Sequence, residues 1–168
     1  MASISDVFNE LNLAKSSGVV VDYAVGGAMA VLFYAEPVRT YDLDVFVILD
    51  EQAEASLSPL AGIYAWARTR GFSVDSEHVV MHDVPVQFLP PFSPLVREAV
   101  AHARSLSYEG VPVRVVAPDY LVVLALQGGG ARRRERAWQL LESGEIDRDE
   151  LRGLCARHGV KVEIPDDV

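Results

Sequence analysis

Residues 23–49, YAVGGAMAVLFYAEPVRTYDLDVFVIL, constrain the chain more than any other stretch, because they set three unlike demands on the backbone in quick succession. Val19 to Ala24 is a short apolar, β-branched run of the buried-strand type. Gly26-Gly27 interrupts it, and an apolar helical pattern begins at Ala28. Strand, glycine turn and helix therefore follow one another with no linker. Paired glycines at such a junction permit positive φ and the close approach of another group, while the free N–H groups of a helix start favour an anion. A phosphate fits there.

The second half of the stretch, Arg39-Thr40-Tyr41-Asp42-Leu43-Asp44-Val45-Phe46-Val47-Ile48, reads as a strand running into a core with two carboxylates at its mouth. Alternation sets Asp42 and Asp44 on one face and Leu43, Val45 and Val47 on the other. At a rise of about 3.3 Å per residue their Cα atoms lie roughly 6–7 Å apart, so the carboxylates can converge on one ion. Two like charges beside a buried strand are costly unless a cation or a hydrogen-bond network compensates them. A hard divalent cation, Mg²⁺ or Mn²⁺, meets that need. A lone D-x-D more commonly caps a strand end in solvent; this one follows a glycine turn.

Gly-Gly, a helix, and then R-x-T-x-D-x-D on a strand resembles the nucleotidyltransferase superfamily, the fold shared by DNA polymerase β, antibiotic nucleotidyltransferases and minimal bacterial nucleotidyltransferases. Within it the chain looks most like the group around the AbiEii-type toxins and related small bacterial proteins. The later PVQFLP and the ending LLESGEIDRDELRGLCARHG share that look. The resemblance implies an α+β fold: a mixed sheet flanked by helices, with C-terminal helices packed alongside. It implies transfer of a nucleoside monophosphate from an NTP to a hydroxyl, in a setting that includes toxin–antitoxin pairs. Asp42 and Asp44 would be the catalytic metal ligands, Gly26 and Gly27 would approach the phosphates, and Arg39 and Thr40 would complete the nucleotide site. An ion pair with a neighbouring acid is an equal alternative for Arg39, and orientation of the strand start is one for Thr40. The acceptor is open among a tRNA end, a protein hydroxyl and a small molecule.

Two departures from the superfamily pattern stand out. Where a third carboxylate is usual, in a hydrophobic-Asp-hydrophobic setting, the strand Val84 to Leu89 carries Gln87. Glutamine can accept a hydrogen bond or weakly ligate a metal, but it brings no charge and cannot serve as a general base. The helix over 119–127, which often presents a lysine to the nucleotide, has Ala125 and Gln127 at its later positions. These losses support a rival of another class: a catalytically degenerate fold that binds a nucleotide or a protein partner, as an antitoxin does.

With 168 residues, half of them hydrophobic, one domain with a substantial core is expected, its sheet within 1–116 and its C-terminal helices over 117–168. No apolar run approaches a membrane span and no signal-type leader is evident, which points to a cytoplasmic protein. Cys155, the single cysteine, excludes an internal disulfide, and the four scattered His show no zinc-type spacing. A net charge of −9 argues against a broad nucleic-acid surface. That charge is uneven: residues 1–90 hold four Lys/Arg against twelve Asp/Glu, and residues 91–168 hold eleven against twelve.

The remaining pattern predicts helices over 4–15 (capped by Ser5 or Asp6), 57–70, 119–127 and 148–158, with another opening at Ser93-Pro94. Strands are predicted over 72–81 and 84–89, turning at His82-Asp83, and in a hairpin around Glu109-Gly110. Pro85 suggests an edge strand. Gly128-Gly129-Gly130 leads into Ala131-Arg132-Arg133-Arg134-Glu135-Arg136. Cations in a first helical turn oppose the helix dipole, so Arg132 and Arg136 either meet an anion or form a solvated face. Arg152 and His158 show the spacing of the HEPN ribonuclease motif, but the chain lacks that family's helical bundle.

Overall fold

The computed structural model describes residues 3–36, 40–162 and 164–166. Helix α1 (Ile4–Ser16) leads into strand β1 (Asp22–Val25), the five-residue helix α2 (Gly27–Val31) and strand β2 (Leu43–Ile48). Two helices, α3 (Glu51–Glu54) and α4 (Ala61–Thr69), precede the consecutive strands β3 (Ser73–Asp75), β4 (His78–Met81) and β5 (Val84–Leu89). Helix α5 (Pro94–Ala101) and the hairpin of β6 (Arg104–Tyr108) and β7 (Val111–Val115) follow. The chain then runs through α6 (Pro118–Gly128), α7 (Ala131–Glu142) and α8 (Arg148–Arg157).

The strands form one seven-stranded mixed sheet in the order β3-β4-β5-β2-β1-β7-β6. The central strand β2 runs antiparallel to β1 and parallel to β5. Leu43, Val45 and Val47 on one face of β2 are fully buried, which fixes the register, since a slip of one residue would bury Asp44 and expose the three apolar side chains. Helices α1 and α5 pack on the sheet, and α6, α7 and α8 pack alongside. Arg114 stitches β7 to its neighbours: its Nε donates to the Tyr23 carbonyl at 3.3 Å and pairs with Asp22 at 3.0 Å, and its Nη2 donates to the Val100 carbonyl at 2.9 Å.

The structure departs from the sequence pattern in four places. The helix expected from Leu57 starts at Ala61 and leaves Leu57 fully exposed, because Pro59 drives the residue before it out of helical φ/ψ. The strand expected over 72–81 is a hairpin, β3 and β4, folded at Ser76-Glu77 with Ser76 at φ 54°. Pro85 lies inside the sheet between β4 and β2. In a two-residue hairpin the cross-strand pairs alternate, so Val80–Pro85 is a pair without ladder bonds, and pairing with β2 begins only at Val86. The ring therefore removes no ladder bond. Finally, Ser3 caps α1, and its N–H donates to Asp6 at 2.9 Å. The His82-Asp83 and Glu109-Gly110 turns form as expected, each with two residues at positive φ.

Three C-terminal elements are tied together by Glu98 on α5. Its carboxylate accepts from the Tyr120 hydroxyl at 2.7 Å, lies 2.7 Å from His158 Nε2 and pairs with Arg157. Arg152 is engaged by Asp149 at 2.9 Å and by Asp166. The HEPN-like pair thus has structural partners. Burial alone would raise the Glu98 pKa, but the hydrogen bonds from Tyr120, His158 and Arg157 outweigh it and hold the carboxyl at about 2, against 4.5 ordinarily. A folded pKa below the unfolded one stabilises the fold above about pH 4.5, and the contribution is lost as pH falls toward 2. Glu98→Gln should therefore cost about 1–3 kcal/mol at pH 7. The gap should close below pH 3, measured by denaturant melts of both proteins across that range.

Candidate active site

The site forms where β1 ends, α2 begins and β2 runs past both. The Gly26 N–H donates to the Asp44 carbonyl at 2.9 Å, which joins the glycine turn to the middle strand. Gly27 adopts φ +59°, and a Cβ built on it would stand 2.1 Å from Asp44 Oδ2. A Cβ on Gly26 would stand 2.4 Å from the Phe46 ring. Each glycine is thus required by the side chain that β2 presents to it, and the Asp44 carboxylate rests on bare backbone. Burial raises the Asp44 pKa most, and the Asp42 charge raises it further, while Arg136, His78 and Arg133 pull it down. The net direction is upward: the carboxylate pair is under-compensated.

Two clefts meet at this pair. The first, of about 570 Å³, is lined by Gly27, Asp44 and Gln87 together with Phe46, Phe92, Leu121, Leu124, Gln127 and the guanidinium groups of Arg133 and Arg136. The second, of about 460 Å³, is polar and is lined by Thr40, Tyr41, Asp42, Arg132, Glu135, Arg136 and Gln139. Arg136 belongs to both. Among the described residues its Nε and the Oε1 of Gln139 are buried with no hydrogen-bond partner, and no carboxylate of those residues lies within 4 Å of Arg132, Arg133 or Arg136. Arg133 donates to the Gly128 carbonyl at 2.9 Å, which turns its side chain over the first turn of α7 toward α6.

Most of the residues singled out from sequence come together here: Gly27, Asp44, Gln87 and Arg136 line the first cleft, and Thr40, Asp42, Arg132 and Arg136 the second. Gly26 lies behind them against Phe46. Thr40 donates its hydroxyl to the Asp42 carbonyl at 2.9 Å, which orients the start of the strand. Arg39 lies outside the described residues. Gln87 is the direct register partner of Asp44 on β5. Sequence reasoning missed Phe92, which is exposed and packs on Phe46 at 6.3 Å between ring centroids. It also missed His78, whose Nε2 is 3.8 Å from Asp42 Oδ2. The signal for His78 was present: a two-residue turn at 82–83 pairs Met81 with Val84 and hence His78 with Gln87.

Among the described residues no three His, Cys, Asp or Glu side chains group to enclose a metal ion. Two carboxylates nevertheless fit a metal–nucleotide, because Mg²⁺ is commonly held by one or two carboxylates while waters and substrate phosphates fill its other positions. The raised Asp44 pKa and the adjoining Asp42 give the donor set its chemistry: two hard, mutually repelling carboxylates, which a divalent cation would suit.

No protein-family model matches the sequence, and no curated protein matches it either. Solved structures do resemble the fold. The solution structure of the antibiotic-resistance factor ANT(2'')-Ia superposes with a TM-score of 0.57 at 13% identity, covering 95% of this chain and 93% of that one. ANT(2'')-Ia in complex with adenylyl-2''-tobramycin gives 0.56 at 12% identity, covering 92% and 95%. A nucleotidyltransferase-like antigenic protein from Paracoccidioides brasiliensis gives 0.57 at 15% identity, covering 92% and 86%. The chain has the nucleotidyltransferase fold. Among the described residues no helix is long and apolar enough to cross a membrane.

Gly27→Ala should destabilise the protein by more than the strain of positive φ alone, which is about 1–3 kcal/mol. Gly71→Ala, at φ +82° with open space around it, isolates that strain; the excess in a paired melt measures the collision with Asp44. Asp44→Asn should leave the metal-free protein as stable as the parent or more so at pH 7, because a raised carboxyl pKa means that ionisation opposes folding. This difference should vanish below the ordinary value of 3.8, where both side chains are neutral.

Proposed function

We propose that the protein is a nucleotidyltransferase that moves a nucleoside monophosphate from an NTP to a hydroxyl of an acceptor. The observation that carries this reading is the Asp44 carboxylate seated on the Cα of Gly27, with Asp42 beside it and three arginines, without a carboxylate partner among the described residues, lining the adjoining clefts. In the reaction the acceptor oxygen attacks the α-phosphorus, the acceptor hydroxyl gives up its proton to solvent water, and the bond from the α-phosphorus to the bridging oxygen breaks to release pyrophosphate. A divalent cation, Mg²⁺ or Mn²⁺, bound by Asp42 and Asp44 would neutralise the phosphate oxygens and activate the attacking oxygen. Gly27, lacking a side chain, lets the phosphates reach the backbone. Arg133 and Arg136 supply the positive charge that a lysine on α6 would otherwise bring, from the next helix instead. Phe46 and Phe92 offer an apolar wall to the nucleoside.

Gln87 limits the rate in this scheme, because it neither carries charge nor accepts a proton. It also favours a second reading, in which the chain binds Mg²⁺–NTP or a protein partner without transfer. An AbiEii-like place in a toxin–antitoxin pair rests on the likeness of the segments around Gln87 and over 140–159. ANT(2'')-Ia has been solved with adenylyl-2''-tobramycin, but the arginines here repel a polycation, so the acceptor we favour is neutral or anionic, such as a tRNA end or a protein hydroxyl.

Incubation with each α-labelled NTP, Mg²⁺ or Mn²⁺ and a cell extract should label an acceptor, and Asp44→Asn should abolish labelling. Metal-dependent NTP binding without labelling would establish the binding-module reading, and equal NTP affinity in chelator and in Mg²⁺ would overturn both. Arg133→Gln and Arg136→Gln should each weaken NTP binding about tenfold or more, the worth of a charge-assisted contact, and should flatten its salt dependence in a fluorescence titration.

A further inference from the structure

His78 on β4 stands opposite Gln87, and Gln87 on β5 stands opposite Asp44, so three polar residues from three neighbouring strands make one cross-strand row. In-register neighbours project to the same face of a sheet, which here is the face of the catalytic pair. The alternate residues of β4, Val79 and Met81, are fully buried on the other side, whereas His78 is only partly covered. The core therefore does not call for a histidine at this position.

The imidazole Nε2 and Asp42 Oδ2 are 3.8 Å apart. That is too long for a hydrogen bond. Two ligand atoms each about 2.1 Å from one ion are separated by at most about 4.2 Å, so a single cation can span this gap.

We propose that His78 and Asp42 form a second donor pair, in which imidazole takes the place of the missing third carboxylate and tunes the site toward Mn²⁺ over Mg²⁺. The proposal rests on the metal–nucleotide reading above. Imidazole nitrogen suits transition metals, while Mg²⁺ selects oxygen. A neutral ligand also spares the site a third negative charge beside Asp42 and Asp44, a pair already under-compensated without a cation. Gln87, between His78 and Asp44, keeps the row uncharged across its middle. Since the described residues hold no three-ligand cluster, the other positions around such an ion belong to water and phosphate oxygens.

The test measures Mn²⁺ binding from loss of the free-ion paramagnetic resonance signal, and Mg²⁺ binding by competition, with an equimolar mixture of the four NTPs present. Parent, His78→Gln, His78→Asp and Asp44→Asn proteins are compared, and melts in chelator report folding separately. Changes in the outer shell alone cost metal sites about 10–100-fold, so losing a ligand should weaken Mn²⁺ binding by at least tenfold in His78→Gln. Mg²⁺ binding should fall much less, so the Mn²⁺/Mg²⁺ preference collapses. In His78→Asp the preference should move toward Mg²⁺. An unchanged ratio in His78→Gln, with Asp44→Asn still abolishing binding, would overturn the role of His78 alone. A parent protein that binds neither ion would overturn the metal–nucleotide reading beneath it. Both affinities are measured on the same folded variant, so a change in stability does not move their ratio.

Discussion

The contact between the Asp44 carboxylate and the bare Cα of Gly27 governs how the rest of the molecule is arranged. A charged side chain can lie on the backbone of a helix start only if the residue there has no Cβ and can take positive φ, and Gly27 meets both conditions. The antiparallel register of β1 on β2, which pairs Val25 with Val45, brings the turn to this place, and the bond from the Gly26 N–H to the Asp44 carbonyl holds it there. Helix α2 then leaves in the one direction that keeps the mouth of β2 open, and α6 and α7 pack against α2 to form the far wall.

That wall explains the uneven distribution of charge along the chain. The acidic first half places two carboxylates at the strand mouth, and burial with mutual repulsion pushes the more enclosed one toward protonation. The second half returns Arg132, Arg133 and Arg136 to the two clefts, and Arg136 and Arg133 pull the Asp44 pKa back down without an ion pair among the described residues. Cations at the first turn of α7 oppose its dipole. An anion between acids and arginines, carrying its own cation, would resolve both local costs together.

The network around Glu98 is built differently. Around Glu98, Tyr120 and His158 the charges are paired and the carboxyl pKa is driven down; around Asp44 the arginines have no carboxylate partner among the described residues and the pKa is driven up. The first network contributes to folding and fastens α8 to α5. The second opposes folding in the absence of a ligand, as a preorganised binding site does.

The sequence by itself determined the features that depend on neighbours along the chain. These are the glycine turn, the parity of Asp42 and Asp44, the helix start at Ser93 and the His82-Asp83 turn, because periodicity and backbone sterics act over a few residues; the α+β class came with the resemblance those motifs carry. The helix start at Ala61 was also local in origin, since Pro59 stood in the pattern. Tertiary structure decided what depends on which strands lie side by side. The parallel pairing of β2 with β5 set Gln87 beside Asp44, put Pro85 inside the sheet, and brought His78, already opposite Gln87 across the 82–83 turn, within reach of Asp42. The packing of α7 on α6 turned an arginine-rich helix start into a wall of the cleft. Such placements arise from burying apolar faces far apart in sequence, so no local pattern encodes them.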